Sequence, residues 1–399
     1  MLGLVATLVA ACGSGAPAPN EFAFTPRALT APLEPQQFQS PDPQDGGEFG
    51  FATTFAGSLA VFGAPGENGS AGVVYFFDSE TGELGRTLTP PDPTATGRFG
   101  AALSANAVVT IVGSPSAPTA GVPGGAAYVY GAGESTPSLV FGSDAPDAKG
   151  QFGFAVAAAE INFIVGAPGE AGGAGRAYYF DCVTDEILQV FESPNAEPGG
   201  RFGAAVATID FDVFVGAPDE NGGEGRVYHF NGLTGELIQT YTSPSPLFAG
   251  AFGGSIVVVG NRLLIGAPGE AESLEGFIDS GRAHVVDIAT AEVQFSLDSP
   301  QSQNGGLFGA RVTSNGNQLV VGAPNELGAG IVHVYENDGK FVTSLMSTSA
   351  TFDGRFGLSL AAAPEDLLVG APGDEGGLGN VEAAAGAAYL NPPTFLEPQ

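Results

Sequence analysis

The sequence of 399 residues contains no tryptophan and only two cysteines, and it is poor in cationic side chains. Lysine and arginine together number 12 against 43 aspartates and glutamates, so the formal net charge is −31. Because nucleic acids and anionic lipid surfaces attract basic patches, this balance excludes both as default partners. The acidic surface instead favours neutral or basic partners.

The chain also lacks a long apolar run at its start, because residues 1–11 fall short of the roughly 20 residues that span a bilayer. The segment Val9-Ala10-Ala11-Cys12 nevertheless resembles the lipobox of bacterial lipoprotein signals, although no Lys or Arg precedes it. We expect residues 1–11 to be a signal segment, Cys12 to be lipidated and residues 12–36 to be a tether. The alternatives are an ordinary secretory signal and a chance match. Cys182 is then the only other thiol, which predicts no intrachain disulfide in the mature protein.

Glycine and proline are abundant, with 62 and 30 residues, and the glycines recur in register with apolar runs. A Phe-Gly pair occurs seven times, and a Gly-Ala-Pro or Gly-Ser-Pro triplet begins 14 residues after each Phe. The pairs begin at Phe49, Phe99, Phe152, Phe202, Phe252, Phe308 and Phe356. They recur every 48 to 56 residues. A constant internal offset at a period near 50 indicates a propeller or a repeat array.

Each repeat contains four short segments with the pattern of β-strands, and no segment shows a sustained helical period. Pro218, in the triplet of the fourth repeat, is typical of a strand end because proline cannot donate to the ladder. Four short antiparallel strands per repeat are typical of a propeller blade. The sequence therefore predicts an all-β, seven-bladed β-propeller of four-stranded antiparallel blades.

The last repeat ends near Leu390 without a convincing fourth strand, whereas residues 37–41 have the sequence of one. We therefore predict that an N-terminal strand completes the last blade and closes the ring, which removes free sheet edges. The propeller then spans residues 37–390, and residues 391–399 form a tail. Small residues stand three positions after the Phe of most repeats, with Arg311 as the exception, and we expect Arg311 to form a local ion pair.

These repeats resemble FG-GAP repeats, the unit of the integrin α-subunit propeller and of many bacterial surface proteins. The resemblance implies an extracellular protein that interacts through loops on one propeller face. Calcium-binding members carry an Asp-rich D-x-D-x-D-G loop between the two motifs, whereas this chain has short turns there. The nearest approaches are Asp210 with Asp212 and Glu365 with Asp366. Two carboxylates fall short of the six or more oxygens that Ca²⁺ takes, so we expect neither calcium nor another cofactor.

A different acidic pattern is present four residues after the first Gly of the triplet. It comprises Glu67, Glu170, Glu220, Glu270, Glu326 and Asp374, with Ala117 as the exception. In a closed ring these carboxylates would circle the face that the resemblance implies for ligands. One interpretation is a rim that attracts cations or basic partners. The other is architectural: each acid satisfies backbone N–H groups of its own turn or pairs with an arginine such as Arg98, Arg201 or Arg355.

Little in the sequence indicates catalysis. His284 and His333 occupy a position in the third strand that is tyrosine in the other five repeats, and His229 lies one residue later in its strand, so we expect structural roles for all three. No His/Cys cluster has zinc spacing, and no G-x-S-x-G elbow occurs. We therefore expect no enzyme.

The combined expectation is a secreted or cell-envelope protein, lipid-anchored at its outer surface and otherwise a monomeric propeller. It would act as a binding or adhesion module for an extracellular protein or polysaccharide. The alternatives are a polysaccharide-acting lyase or hydrolase on the same scaffold and a structural envelope protein. Acids that converge in the channel would favour the enzyme, and acids dispersed on separate loops would favour binding.

Overall fold

The computed structural model describes residues 35–92, 96–118, 121–159, 162–181, 184, 186–271, 279–375, 385–392 and 394–395. These residues form seven antiparallel sheets arranged as the blades of a β-propeller, which confirms the predicted fold class. In blades 1 to 6 the strands follow chain order from the innermost to the outermost, whereas in blade 7 the N-terminal strand is the outermost. Three single-turn helices lie in loops: α1 (Glu67–Ser70), α2 (Glu170–Gly173) and α3 (Glu220–Gly223).

The first four blades are regular and differ mainly in the length of their outer strands. Blade 1 consists of β2 (Ala52–Ala56), β3 (Leu59–Ala64), β4 (Val73–Asp78) and β5 (Leu84–Leu88). Blade 2 consists of β6 (Ala102–Ala105), β7 (Val109–Ser114), β8 (Ala126–Gly131) and β9 (Leu139–Phe141). Blade 3 consists of β10 (Ala155–Ala158), β11 (Asn162–Ala167), β12 (Arg176–Asp181) and β13 (Ile187–Glu192). Blade 4 consists of β14 (Ala205–Ile209), β15 (Asp212–Ala217), β16 (Arg226–Asn231) and β17 (Leu237–Thr242).

The last three blades include both ends of the chain. Blade 5 consists of β18 (Ser255–Val259), β19 (Arg262–Ala267), β20 (Arg282–Asp287) and β21 (Val293–Asp298). Blade 6 consists of β22 (Arg311–Ser314), β23 (Gln318–Ala323), β24 (Ile331–Glu336) and β25 (Phe341–Leu345), to which β29 (Thr394–Phe395) adds a fifth strand. Blade 7 consists of β26 (Ser359–Ala362), β27 (Leu367–Ala371), β28 (Ala387–Leu390) and the N-terminal β1 (Gln36–Gln39).

The N-terminal strand closes the ring as predicted. β1 pairs antiparallel with β28, and Phe38 lies opposite Ala388. Phe38 also packs against blade 1, where its ring centroid lies 5.1 Å from that of Phe62. Within the predicted tail of residues 391–399, Thr394 and Phe395 pair with Leu345 and Ser344 on the outer edge of blade 6.

The Phe-Gly and Gly-Ala-Pro motifs meet at every blade junction. A Cβ on Gly63 would lie 2.0 Å from the carbonyl oxygen of Gly100, so only glycine allows the two backbones to approach this closely. Gly100 also has a φ of +89°, which other residues rarely adopt. The same contact recurs around the ring at Gly113–Gly153, Gly166–Gly203, Gly216–Gly253, Gly266–Gly309, Gly322–Gly357 and Gly370–Gly50. The phenylalanines beside these glycines are all fully buried.

The hydrophobic core is divided among the blade interfaces, and each of its seven clusters joins two neighbouring blades. Between blades 3 and 4, for example, Ile164 and Tyr179 pack with Phe202 and Phe230. Burial of each such side chain stabilises the fold by about 1.5–3 kcal/mol. Since the apolar contacts lie between blades, the ring axis is left as a channel of about 240 Å³, lined by the innermost strands.

The two faces of the ring carry different loops. The upper face, as we call it, carries the loops between second and third strands, such as residues 65–72, and the connections between blades, such as residues 40–51. The lower face carries the hairpin turns, such as residues 57–58 and 79–83. All the acidic positions of the repeated pattern therefore belong to the upper face.

Candidate functional site

The six repeated carboxylates do not form an exposed rim. Each is at most 1% exposed, so the structure corrects the interpretation that they attract ligands from solvent. The loop folds each of these side chains inward beneath the upper face. A glycine two residues before the Phe-Gly motif makes room for it: a Cβ on Gly47 would lie 3.1 Å from Cγ of Glu67. Any partner of the upper face must contact other residues.

Each buried carboxylate accepts a hydrogen bond from, or contacts, the tyrosine or histidine of the third strand in its own blade. Tyrosine hydroxyls donate in four blades, and a histidine Nε2 takes the same place in two. The pairs are Tyr75–Glu67 (2.5 Å), Tyr178–Glu170 (2.5 Å), Tyr228–Glu220 (2.6 Å), His284–Glu270 (2.8 Å), His333–Glu326 (2.7 Å) and Tyr389–Asp374 (2.8 Å). The histidines thus replace the tyrosine chemically as well as in position.

A serine nine residues before the Phe-Gly motif completes the group. In blade 7 the hydroxyl of Ser347 lies 2.9 Å from Oδ2 of Asp374 and 2.7 Å from the hydroxyl of Tyr389. In blade 4 the Ser193 hydroxyl donates to Oε1 of Glu220. All six equivalent serines are buried and accept the N–H two residues later: Ser40, Ser143, Ser193, Ser243, Ser299 and Ser347. We call the serine, the carboxylate and the Tyr or His the junction triad.

Burial dominates the electrostatics of the junction triads. It raises the pKa of Glu67 and Glu170 above the ordinary value, although the hydrogen bonds from Ser40 and Tyr75 or from Ser143 and Tyr178 oppose it. Burial also raises the pKa of the Tyr75 hydroxyl, and the adjacent carboxylate adds to this.

The second oxygen of the carboxylate has no hydrogen-bond partner among the described residues in four of the triads, those of Glu67, Glu170, Glu270 and Glu326. These sites are closed and desolvated. They have no solvent-facing position where a substrate or an ion would bind.

The arginines in front of the Phe-Gly motifs do not pair with the six carboxylates. Arg98 binds Glu48 at 2.8 Å, and Arg201 lies 3.6 Å from the exposed Asp219. Longer contacts reach two triads from the third strand, at 4.0 Å between Arg176 and Glu170 and at 3.8 Å between Arg226 and Glu220. The architectural interpretation is therefore supported, but with Ser, Tyr and His as the partners in place of those arginines.

Blade 2 lacks the carboxylate and the serine together. Ala117 occupies the acidic position, Pro90 occupies the serine position, and Tyr128 remains buried in the third strand. This is also the blade with Gly-Ser-Pro, and its Ser114 hydroxyl donates to the carbonyl of Gly97 at 2.7 Å. A different hydrogen bond thus ties the loop to the incoming connection here.

The most exposed large apolar side chains among the described residues are two phenylalanines of the upper face. Phe248 and Phe352 are 85% and 83% exposed, and both stand four residues before a Phe-Gly motif. Their rings lie over glycines of the preceding blades. A Cβ on Gly222 would lie 3.3 Å from the ring of Phe248, and a Cβ on Gly328 would lie 3.0 Å from the ring of Phe352. The 51% exposed Leu327 is the neighbour of Gly328 in sequence.

The connections between blades differ in charge. Residues 244–251 and 300–307 contain no charged residue, whereas residues 41–48 contain three acids and residues 144–149 contain two acids and Lys149. The connection that carries Phe352 contains Asp353 and Arg355 as well. Sequence analysis missed Phe248 and Phe352 because they fall outside the repeated pattern.

The expected ion pair of Arg311 is not found among the described residues. Its Nε donates to the carbonyl of Leu358 at 3.1 Å, and its side chain lines the axial channel. The three histidines are all engaged in contacts: His229 stacks on Phe214 and contacts Asp212 at 2.8 Å. The described residues contain no group of three His, Cys, Asp or Glu side chains that would hold a metal ion.

Several sequence predictions lie outside the described residues. These are the signal segment 1–11, Cys12, nearly all of the tether 12–36, and Cys182. Within the described part of the chain, no helix has the length and apolar character needed to cross a membrane.

Searches with protein-family models and among curated proteins found no match. The fold itself defines the class: this chain forms a seven-bladed β-propeller.

Proposed function

We propose that this protein is an extracellular binding or adhesion module of the FG-GAP type, which binds its partner through the exposed Phe248 and Phe352 of the upper face. The observation that carries the proposal is the pair of protruding rings, Phe248 and Phe352, in equivalent connections of blades 5 and 7. Large exposed aromatic side chains are typical anchors of interfaces, where they fill pockets on the partner. With a net charge of −31, the partner is expected to be neutral or basic.

The arrangement of the carboxylates supports binding over catalysis. The six acids lie in six separate junctions, and each is already paired with its own Tyr or His. Glycosidic hydrolysis, in contrast, requires two carboxyl groups that flank one substrate bond. The repeated acids therefore favour an architectural role, and the non-repeated residues of the upper face are left for recognition.

The test is a binding panel of immobilised neutral and acidic polysaccharides and of basic and acidic extracellular proteins. We expect binding to a neutral or basic member, and a loss of affinity of at least about tenfold in the F248S/F352S variant. The control is F211S, because Phe211 is 40% exposed in a hairpin turn of the lower face. The proposal fails if the double variant binds like wild type or if F211S has the same effect.

We further propose that Cys12 is acylated and holds the propeller at the cell envelope. Support comes from the lipobox-like Val9-Ala10-Ala11-Cys12 and the Gly-, Ser-, Ala- and Pro-rich sequence that follows. A Cys12→Ala variant should move from the membrane to the soluble fraction and lose lipid label. Wild-type protein that is entirely soluble and unlabelled would refute the anchor.

A further inference from the structure

Among the described residues that line the axial channel, one is charged. This lining consists of the first strands of the seven blades, with small or aliphatic residues at nearly all positions and Arg311 as the exception. The equivalent positions in the other blades are Ala52, Ala102, Ala155, Ala205, Ser255 and Ser359. A cation in the channel is unexpected in a protein that has only 12 basic residues.

The guanidinium of Arg311 has unused hydrogen-bonding capacity. Arginine carries five N–H donors in a planar fork, and only Nε donates to a described group, the carbonyl of Leu358. No described carboxylate pairs with it, although the chain contains 43 acidic residues. The Arg311 side chain is exposed to the solvent of the channel, although the innermost strands around it lower its pKa below the ordinary value by desolvation. An anion that enters the channel can therefore reach the terminal N–H groups of the guanidinium.

A hydroxyl group accompanies the guanidinium in the same cavity. Ser255 lines the channel, and its Oγ accepts the N–H of Val312 at 3.0 Å, which leaves its own proton available for donation.

We propose that the channel binds a small monocarboxylate, whose two oxygens pair with the terminal N–H groups of Arg311. The planar fork of arginine matches the geometry of a carboxylate. The described lining of the channel provides one positive charge and is otherwise neutral, so a single negative charge is balanced and a second one is not. Aliphatic side chains such as Leu103, Val156 and Ile256 line the remaining space of the 240 Å³ channel and suit the apolar part of an organic acid. This site is independent of the binding function proposed for the upper face.

The proposal is tested by calorimetric titration of the full-length protein with acetate, benzoate and inorganic sulfate. We expect saturable 1:1 binding of a carboxylate, weaker binding of sulfate, and a rise in melting temperature with carboxylate concentration. In Arg311→Ala the dissociation constant should rise at least about tenfold, as expected for the loss of charge-assisted hydrogen bonds. Arg311→Lys should retain part of the affinity, because it keeps the charge and loses the fork.

Arg262→Ala is the matched control, since Arg262 also donates to one backbone carbonyl, that of Asn337, but lies at the lower face. It should bind like wild type. The proposal is overturned if wild type binds neither carboxylate, if sulfate binds more tightly than both, or if Arg311→Ala, shown to be folded by circular dichroism, keeps wild-type affinity.

Discussion

The junction at blade 2 lacks two members of the junction triad, the serine and the carboxylate, which the junctions at the other six blades contain. In blade 4, Ser193 and Glu220 meet Tyr228 in the interior, whereas blade 2 has Pro90 and Ala117 beside Tyr128. The serine and the carboxylate are therefore present together or absent together. This indicates that they form one unit, since either polar group alone would be buried without its partner. Blade 2 also shows that a junction can form without the triad.

We expect the largest effect from a deletion at the junction into blade 1, because the serine of this junction belongs to the segment that closes the ring. Deletion of residues 36–40 removes β1 from its ladder with β28, takes Phe38 out of the core and removes Ser40. We expect a loss of at least about 5 kcal/mol in the free energy of unfolding, since burial of Phe38 alone is worth about 3–5 kcal/mol. Chemical unfolding followed by circular dichroism measures it.

Deletion of residues 394–399 is the control for that experiment, because β29 pairs with blade 6 at only two positions. It should cost far less than removal of β1. Equal effects of the two deletions, or an unchanged unfolding midpoint without β1, would show that the N-terminal strand does not close the ring.

Removal of one carboxylate tests the triad itself. Glu220→Ala leaves the hydroxyls of Tyr228 and Ser193 without their acceptor and creates a small cavity, so we expect a loss of about 2–4 kcal/mol. Glu220→Gln keeps an acceptor oxygen and should cost less than about 1 kcal/mol. Asp219→Ala, in the same loop but exposed, should stay within about 0.5 kcal/mol of wild type. A loss in Asp219→Ala as large as in Glu220→Ala would contradict the account.

Blade 2 allows the triad to be built where it is missing. Gly97 is retained at the position where Gly47 makes room for Glu67 in blade 1, and Tyr128 is in place. Ala117→Glu alone should destabilise the fold by about 1–3 kcal/mol, because it buries a carboxylate without the serine. The Pro90→Ser/Ala117→Glu double variant should recover about 1 kcal/mol or more of that loss, measured as the coupling energy of a double-mutant cycle. Additive effects would show that the two positions do not act together.

The smallest expected effect concerns pH. Burial raises the pKa of Glu67 and Glu170, so the folded state favours their protonated forms. Their contribution to stability is present in full below the ordinary carboxyl pKa of 4.5 and is lost as the pH rises through the raised values. We expect wild type to gain stability from pH 8 to pH 5 relative to Glu67→Gln/Glu170→Gln. A constant difference between the two proteins over this range would refute the raised pKa values.

The repeated motifs were sufficient to predict the fold and its closure. The constant offset between Phe-Gly and Gly-Ala-Pro follows from a physical contact, because Gly63 and its equivalents touch the glycine of the next Phe-Gly pair. The resemblance of residues 37–41 to a fourth strand could likewise be recognised from the amino-acid sequence. Local patterns of this kind are reliable because each blade repeats the same backbone geometry.

The burial of the six acids could not be predicted in the same way. A glutamate in a glycine-rich loop is usually exposed, and neither composition nor period indicates that the loop folds it inward. The signal that was available is the joint absence of Ser and Glu at Pro90 and Ala117, together with the Tyr or His position of the third strand. The pairing of Thr394 and Phe395 with blade 6 involves two residues, too few to give a sequence pattern.

Chemical labelling of carboxyl groups tests most directly whether the repeated acids lie inside the blades or on the surface. The native protein is treated with a carbodiimide and glycine ethyl ester, and modified residues are identified by mass spectrometry. We predict that Glu67, Glu170, Glu220, Glu270, Glu326 and Asp374 stay unmodified until denaturant is added. The exposed Asp219 and Asp353 should be modified in the native state. Labelling of the six acids in the native protein at the rate of these two residues would contradict the account and support the interpretation of an exposed acidic rim.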